Sequence, residues 1–467
     1  MTLSTRRLGT RHAKGKSRMR NRLTSSCLAA LIFVFLGTHA VAQEAPKVVE
    51  TVPPLGATDV EAALTELRVT FDQDMAGGFS WTGGGTSYPE VTGRPHWIDK
   101  RTCVLPVKLK PGWSYVLGIN SPSHRNFKSA AGVPAQRVVW KFQTASAVPA
   151  NPEKQKAANE AAWKELAEAI DKRYSYRDVR GVDWGKRMAE YAAKAAAARS
   201  TAGWVKVAAE ALSPSQDLHI HLEYEGQSTG VASRRIPANW NDAAIAAAFP
   251  GMRKVNGTFA SGRSADGIGY LSVASLDTRA EPDFQAVPEI MKTLMDTKAL
   301  IIDLRANAGG SEPLGFKVAG WFTTERRLYM KHVYRDSRAV GGWGEVRERW
   351  LEPAGEGKYY PKAIVVLSGR KIMSSAESFL MMLKVCPSAT VVGAPTYGSS
   401  GNPKPAALSN GVTVYLPSWK ALLPDGTVLE GKGVSPDVLV DPPQDAFRTG
   451  DPVLAKALEA ARAKAAK

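Results

Sequence analysis

PKAIVVLSGRKIMSSAESFL, residues 361–380, is the stretch on which the reading of this chain turns. The run from Ala363 to Leu367 is apolar without alternation, the pattern of a strand buried on both faces. A short turn containing Gly369 follows, and Ser374-Ser375-Ala376-Glu377 then opens an apolar helical pattern that continues to Val385. The segment is one strand–turn–helix unit with a serine at the hand-over. Such a junction exposes a hydroxyl, and the free N–H groups of the helix start can stabilise an oxyanion formed beside it. Ser-x-x-Glu ahead of an apolar run is also a capping box that only satisfies the first helical turn. These four residues alone leave both readings open.

Working outward, the same order repeats. IGYLSV (Ile268 to Val273), a helical Phe284 to Met295, ALIIDL (Ala299 to Leu304), a helical Leu314 to Phe322, AIVVL, the Ser375 helix and ATVV (Ala389 to Val392) form successive βα units. They predict an α/β core with an open, mostly parallel sheet flanked by helices. Ligands of such sheets bind beyond the carboxyl ends of the strands, where both Arg305–Gly310 and the Ser374 turn fall. The alanine-rich stretch from Lys154 to Leu212 precedes this core and reads as helices, with Trp163, Leu166, Ile170 and Tyr174 on one face. Pro46 to Thr144 reads as all-β, from VVETVPP, LRVTF, CVLPVKL, YVLGI and VVWKF separated by Gly, Pro and Asp turns. Ser146 to Pro152 is a small linker.

The first 22 residues carry eight basic side chains (Arg6, Arg7, Arg11, Lys14, Lys16, Arg18, Arg20 and Arg22) and no acid. The apolar Leu28–Leu36 and Ala40-Val41-Ala42 follow, so residues 1–42 read as a signal peptide cleaved before Gln43. That implies export to a periplasm or beyond, with no membrane span left after cleavage. Loss of those eight charges takes the formal +17 to +9, and the remainder is dispersed, which argues against a nucleic-acid partner. Only Cys103 and Cys386 follow the leader, in segments read as different domains, so the fold rests on its core and not on a disulfide.

The segment PKVVETVPPLGATDV, then LRVTFDQDM, LKPGWSYVLGI and WKFQT, resembles a bacterial Ig-like domain, a β-sandwich that serves more often as spacer than as catalyst. Leu304-Arg305-Ala306-Asn307-Ala308-Gly309-Gly310, Ser374-Ser375-Ala376-Glu377 and Glu430-Gly431-Lys432-Gly433-Val434-Ser435-Pro436-Asp437 resemble the C-terminal processing peptidases and the tricorn protease core. The resemblance covers roughly residues 155 to 445. No Gly-rich carboxylate-binding loop of a PDZ domain precedes ALIIDL, which places the chain with the tricorn-like branch. It implies Ser374 as nucleophile and the N–H groups of Gly310 and Ser375 as the oxyanion hole. The dyad enzymes of the family carry a lysine where this chain has Ser399, in Thr396-Tyr397-Gly398-Ser399. The base then falls to His219, in an L-x-D-x-H-like Leu212–Leu222 element, with Glu430 implied to orient it. His221 is the competing histidine but lacks an aspartate two residues before it.

A neutral imidazole can take the serine proton and a buried carboxylate can fix its tautomer. A zinc reading of His219-x-His221 lacks a third ligand cluster. Asp303, Arg305, Asn307 and Asp437 read as architectural, and Ser399-Ser400-Gly401 as a loop whose small residues contact substrate. The organisation expected is a signal peptide (1–42), an Ig-like β-sandwich (43–146), a helical subdomain ending in the histidine motif (152–225), an α/β peptidase core (226–445) and a C-terminal helix (446–467). The function expected is a serine peptidase acting on peptides or proteins, with no metal or organic cofactor. A catalytically silent peptide or apolar-ligand binding protein, or an esterase, on the same fold is the alternative.

Overall fold

Strands buried on both faces need two separate cores, and the computed structural model contains them. It describes residues 44–145, 151–233, 235–336, 338–339 and 342–466. The expected signal peptide (1–42) and most of the expected 146–152 linker lie outside the described residues. Residues 45–467 pack as one unit. Its centre is a seven-stranded sheet in the order Arg253–Lys254, Phe259–Arg263, Ile268–Val273, Ala299–Asp303, Ile364–Ser368, Ala389–Gly393, Val438–Leu439. The first two junctions are antiparallel and the last four are parallel.

Alternation inside the apolar runs sorts side chains between the faces. Leu300, Ile302, Ile364, Val366 and Val391 enter one cluster, with Met291, Leu314, Val318, Phe379 and Leu383 from the helices Val287–Leu294, Glu312–Ala319 and Ser375–Lys384. Ala299, Ile301, Val365, Leu367 and Val392 enter the other, under the helices Asp242–Ala248 and Pro452–Ala465 through Ile245, Val453, Leu454 and Ala457. Each fully buried Leu or Ile here contributes about 1.5–3 kcal/mol relative to exposure. The C-terminal helix is therefore a wall of the core.

Helices Pro152–Arg173, Trp184–Ala196 and Thr201–Leu212 share a third cluster with the strands Pro403–Ala407 and Thr413–Pro417. The four-stranded sheet that includes those strands also contains His221–Tyr224, paired with Thr413–Pro417. This pairing carries the end of the helical segment to the core.

Residues 44–145 hold eight strands in two antiparallel sheets. In Glu66–Phe71 the residues Leu67, Val69 and Phe71 alternate inward. Trp81–Thr82, Glu90–Val91 and His96–Trp97 are strands too short for any alternation to betray them in the sequence. The module leans on the hairpin that follows His219. Tyr224 packs against its core, the Thr86 hydroxyl donates to the Gly226 carbonyl (3.0 Å), and Gln227 Nε2 donates to the Ser114 carbonyl (2.9 Å). Cys103 and Cys386 are both free and buried, and burial pushes each thiol up to about 12.

Candidate active site

Asp303 and Leu367 are partners across neighbouring parallel strands, so the loops after both strands emerge at the same sheet edge. One loop is Leu304–Gly310 and the other delivers Ser374. Ser374 caps the helix Ser375–Lys384 with φ +56° and ψ −133°, a backbone conformation that costs an L-residue about 1–3 kcal/mol and that clusters at active sites. Three contacts hold it there. Its N–H donates to the Ser399 carbonyl (2.7 Å) and to Glu377 Oε2 (3.1 Å), and its Oγ lies 3.1 Å from His219 Nε2.

The capping-box and nucleophile readings of Ser374 are compatible here. Glu377 accepts from the Ser374 N–H as a capping glutamate does, and it also receives the Gly398 N–H (2.7 Å), the Ser399 N–H (3.1 Å) and the Thr396 hydroxyl. Glu377 thus ties the serine turn to the 396–399 loop. Complete burial, opposed by these donors, pushes its carboxyl up to about 7.

The glycine turn abuts the serine. A Cβ on Gly309 would stand 2.7 Å from the Met373 carbonyl oxygen and 3.1 Å from the Ser375 nitrogen. At Gly310, φ is +136° and a Cβ would meet the Leu276 carbonyl oxygen at 2.1 Å, so only glycine fits. The Ser375 hydroxyl donates to the Gly310 carbonyl (2.7 Å) and pins that peptide. Within the described residues the Gly310 and Ser375 N–H groups donate to no protein acceptor. Both line, with Ser374, a cavity of about 350 Å³ that also has Glu312, Ser378 and Trp419 in its wall.

His219 is reached through Asp217, whose Oδ1 accepts the His219 N–H (2.9 Å) and whose Oδ2 accepts the Tyr174 hydroxyl (2.9 Å). Burial lowers the imidazole below its ordinary 6.5, outweighing the opposing pull of Asp217. His221 stands apart. Its ring stacks on Tyr415 with centroids 4.4 Å apart, and its Nδ1 faces the His219 carbonyl.

The group bonded to the far nitrogen of His219 is Ser399, whose Oγ is 3.0 Å from Nδ1. Glu430 is one step further out. Its side chain is fully buried, its Oε2 accepts the Ser400 N–H (2.9 Å), and its other oxygen pairs with Arg180. Burial first, then the Asp217 charge, holds its carboxyl well above the usual carboxylate range. Neither Glu430 oxygen is bonded to His219, so any influence it has on the imidazole passes through the 399–400 loop. The sequence marks Ser399 as the residue at the lysine position and in a substrate-contacting loop but not as the partner of the histidine, and Arg180 escapes it altogether. A hydroxyl in a Gly-Ser-Ser-Gly loop resembles many others, and Arg180 is 250 residues from the carboxylate it meets.

Arg305 is wholly buried between two carboxylates, with Nη2 on Asp303 Oδ2 (2.7 Å) and Nη1 on Asp451 Oδ1 (2.8 Å). Asn307 Oδ1 accepts the Gly309 N–H (2.9 Å), and its Nδ2 donates to the Val273 carbonyl (3.1 Å). Asp437 accepts the Val391 N–H (2.8 Å) and pairs with Lys384.

Residues 267–440 match the family model described as Peptidase family S41. The chain is 25% identical over 195 residues to the carboxy-terminal processing protease CtpB of Bacillus subtilis (strain 168), covering 41% of this chain and 38% of that protein. It is 28% identical over 180 residues to a chloroplastic carboxyl-terminal-processing peptidase 2 of Arabidopsis thaliana, covering 38% of this chain and 32% of that one. The chain thus spans less than two fifths of the length of these relatives. A putative peptidase from Parabacteroides merdae ATCC 43184 shares the fold, with a TM-score of 0.58 and 22% identity over 65% of this chain and 96% of that one. The family match spans Gly310, Ser374, Ser399 and Glu430 but not His219.

Proposed function

We propose that this chain, whose residues 267–440 belong to peptidase family S41, is an exported serine peptidase that cleaves peptides or proteins through an acyl-enzyme on Ser374. The observation that carries the reading is the line Ser374 Oγ, His219 Nε2, His219 Nδ1, Ser399 Oγ, with separations of 3.1 Å and 3.0 Å at its two hydrogen bonds. A nucleophile within hydrogen-bond reach of a base that is itself held from behind is the arrangement acyl transfer needs.

In this mechanism neutral His219 accepts the Ser374 proton at Nε2 as Oγ attacks the substrate carbonyl. The tautomer required has its proton on Nδ1, donated to Ser399 Oγ. Burial favours the neutral imidazole at pH 7, and the Asp217 carboxylate, 3.8 Å from Nδ1, stabilises the imidazolium that forms. The carbonyl oxygen becomes an oxyanion received by the Gly310 and Ser375 N–H groups. His219 then returns its proton to the leaving amine, and water repeats the sequence on the ester. Glu430 acts on His219 at one remove, by fixing the Ser399–Ser400 loop from its buried side, and this tetrad-like arrangement is the form in which we retain a tricorn-like Ser-His-Glu constellation.

The segments keep their sequence-derived meaning in this proposal. Residues 1–42 are a removable leader, 43–146 an Ig-like sandwich, 152–225 a helical subdomain that delivers His219, 226–445 the peptidase core, and 446–467 the closing helix. The test is Ser374→Ala in the mature protein with a fluorogenic peptide mixture or casein as substrate. Turnover should fall by about 10³-fold or more with the fold retained. A folded variant that keeps more than a tenth of the activity contradicts the proposal.

A further inference from the structure

Arg180 lies in the turn between the helices Pro152–Arg173 and Trp184–Ala196, far in sequence from every residue of the proposed constellation. Its guanidinium pairs with Glu430, whose side chain has no solvent exposure, while its own is 18% exposed. The groups that face Glu430 come from several elements. Asp217 follows the third helix, Glu377 sits in the serine helix, Tyr174 and Tyr176 end the first helix, and Arg180 is the one cation among them. The Asp217 and Glu377 carboxylates both press on Glu430, and Arg180 is the charge that opposes them. Arg180 Nε is buried without a hydrogen-bond partner among the described residues. The hydrogen bond that holds the guanidinium is the one to Glu430.

The consequence runs along a chain of contacts. Glu430 Oε2 accepts the Ser400 N–H, Ser400 adjoins Ser399, and Ser399 Oγ touches His219 Nδ1. We infer that Arg180 is a positioning residue, holding the Glu430 carboxylate as the acceptor that fixes the Ser399–Ser400 loop and, through it, the ring of His219. Without the guanidinium, Glu430 takes up a proton or turns away from Ser400, and Ser399 loses its register against the imidazole. A misplacement of about 1 Å at a catalytic group can cost about 10²-fold in rate. The inference rests on the serine peptidase reading given above.

The experiment compares wild type, Arg180→Gln, Arg180→Lys, Glu430→Gln and the double variants Arg180→Gln/Glu430→Gln and Arg180→Lys/Glu430→Gln. Each has kcat and KM measured on a fluorogenic peptide, normalised to the fraction of Ser374 labelled by a fluorophosphonate and checked by thermal unfolding. Arg180→Gln should lower kcat by about 10- to 100-fold with KM little changed, and Arg180→Lys should recover part of the loss. The acid limb of the pH–rate profile should move up in Arg180→Gln and stay near wild type in Arg180→Lys, because only the first leaves Glu430 without a cation. In the Glu430→Gln background, Arg180→Gln should cost less than about twofold more.

Arg180→Gln at wild-type kcat, an unmoved acid limb, or losses that multiply in the double variants would overturn the inference. Should Arg180→Gln not fold, Arg180→Lys decides it. A kcat for Arg180→Lys that is reduced as a single change, yet adds nothing over Glu430→Gln, supports the pairing. Equal losses in both backgrounds refute it. If Ser374→Ala stays active or the fluorophosphonate does not label Ser374, the peptidase reading itself has failed. If both behave as expected and the Arg180 variants match wild type, only the Arg180 inference has.

Discussion

Replacing Ser399 by alanine removes one oxygen, the one 3.0 Å from His219 Nδ1. The His219 side chain is only 14% exposed, and the Nδ1–H left behind faces the Asp217 carboxylate at 3.8 Å, too far for a hydrogen bond. An unsatisfied buried donor costs about 1–3 kcal/mol, and the cost grows when the ring becomes an imidazolium in the transition state. The part already present in the ground state cancels, and only the growth of about 1 kcal/mol on forming the charged ring appears in the barrier, as about 5-fold or more in kcat. The Ser399 backbone contacts, N–H to Glu377 and carbonyl to the Ser374 N–H, do not depend on the side chain, and Tm should hold within a few degrees. The assay is steady-state hydrolysis of a fluorogenic peptide, normalised by active-serine titration, alongside thermal unfolding. Folded Ser399→Ala within twofold of wild-type kcat would refute the reasoning and return Ser399 to the status of a loop residue.

Burial lowers the His219 pKa, so kcat/KM should rise with pH along an acid limb whose midpoint lies below 6.5. A pH–rate profile with its midpoint above 7 would contradict this. The sign for stability is the same, since a depressed folded-state pKa makes the contribution of His219 present above 6.5 and lost as the pH falls. Gly310→Ala would force a Cβ to 2.1 Å from the Leu276 carbonyl oxygen, so the oxyanion loop must shift. Loss of one donor should cut kcat by about 10²- to 10³-fold, and a variant within fivefold of wild type by steady-state kinetics would remove Gly310 from the oxyanion hole.

The core was legible because its strands are buried on both faces. ALIID and IVVLS have every residue buried, and such unbroken runs stand out in any sequence. Ile268–Val273 and Ser375–Lys384 follow from their patterns in the same way. The two-residue strands of the N-terminal module left no pattern to read. Nor did the stretch before the helix Val287–Leu294, where a 3-10 turn at Thr278–Ala286 stands for the first part of a helix expected from Phe284.

At the site, Ser374, Gly310 and His219 are each named from a motif with its own local geometry, and the structure sets Ser374 3.1 Å from His219 and Gly310 against Ser375. The arrangement behind His219 was not legible. Glu430 was expected beside the imidazole, whereas Ser399 occupies that place and Glu430 supports it through Ser400, a layering set by the approach of two loops and by no periodicity. Asp451, which receives Arg305 and caps the C-terminal helix, is invisible for the same reason.

The central claim is that Ser374 is a nucleophile activated by His219. The most direct measurement is the site and rate of fluorophosphonate modification, by intact mass and peptide mapping of the mature protein and of His219→Ala. A single adduct on Ser374, formed at least about 10²-fold more slowly in folded His219→Ala, is the expected result. An adduct on Ser375 or elsewhere, or equal labelling rates in the two proteins, would contradict it.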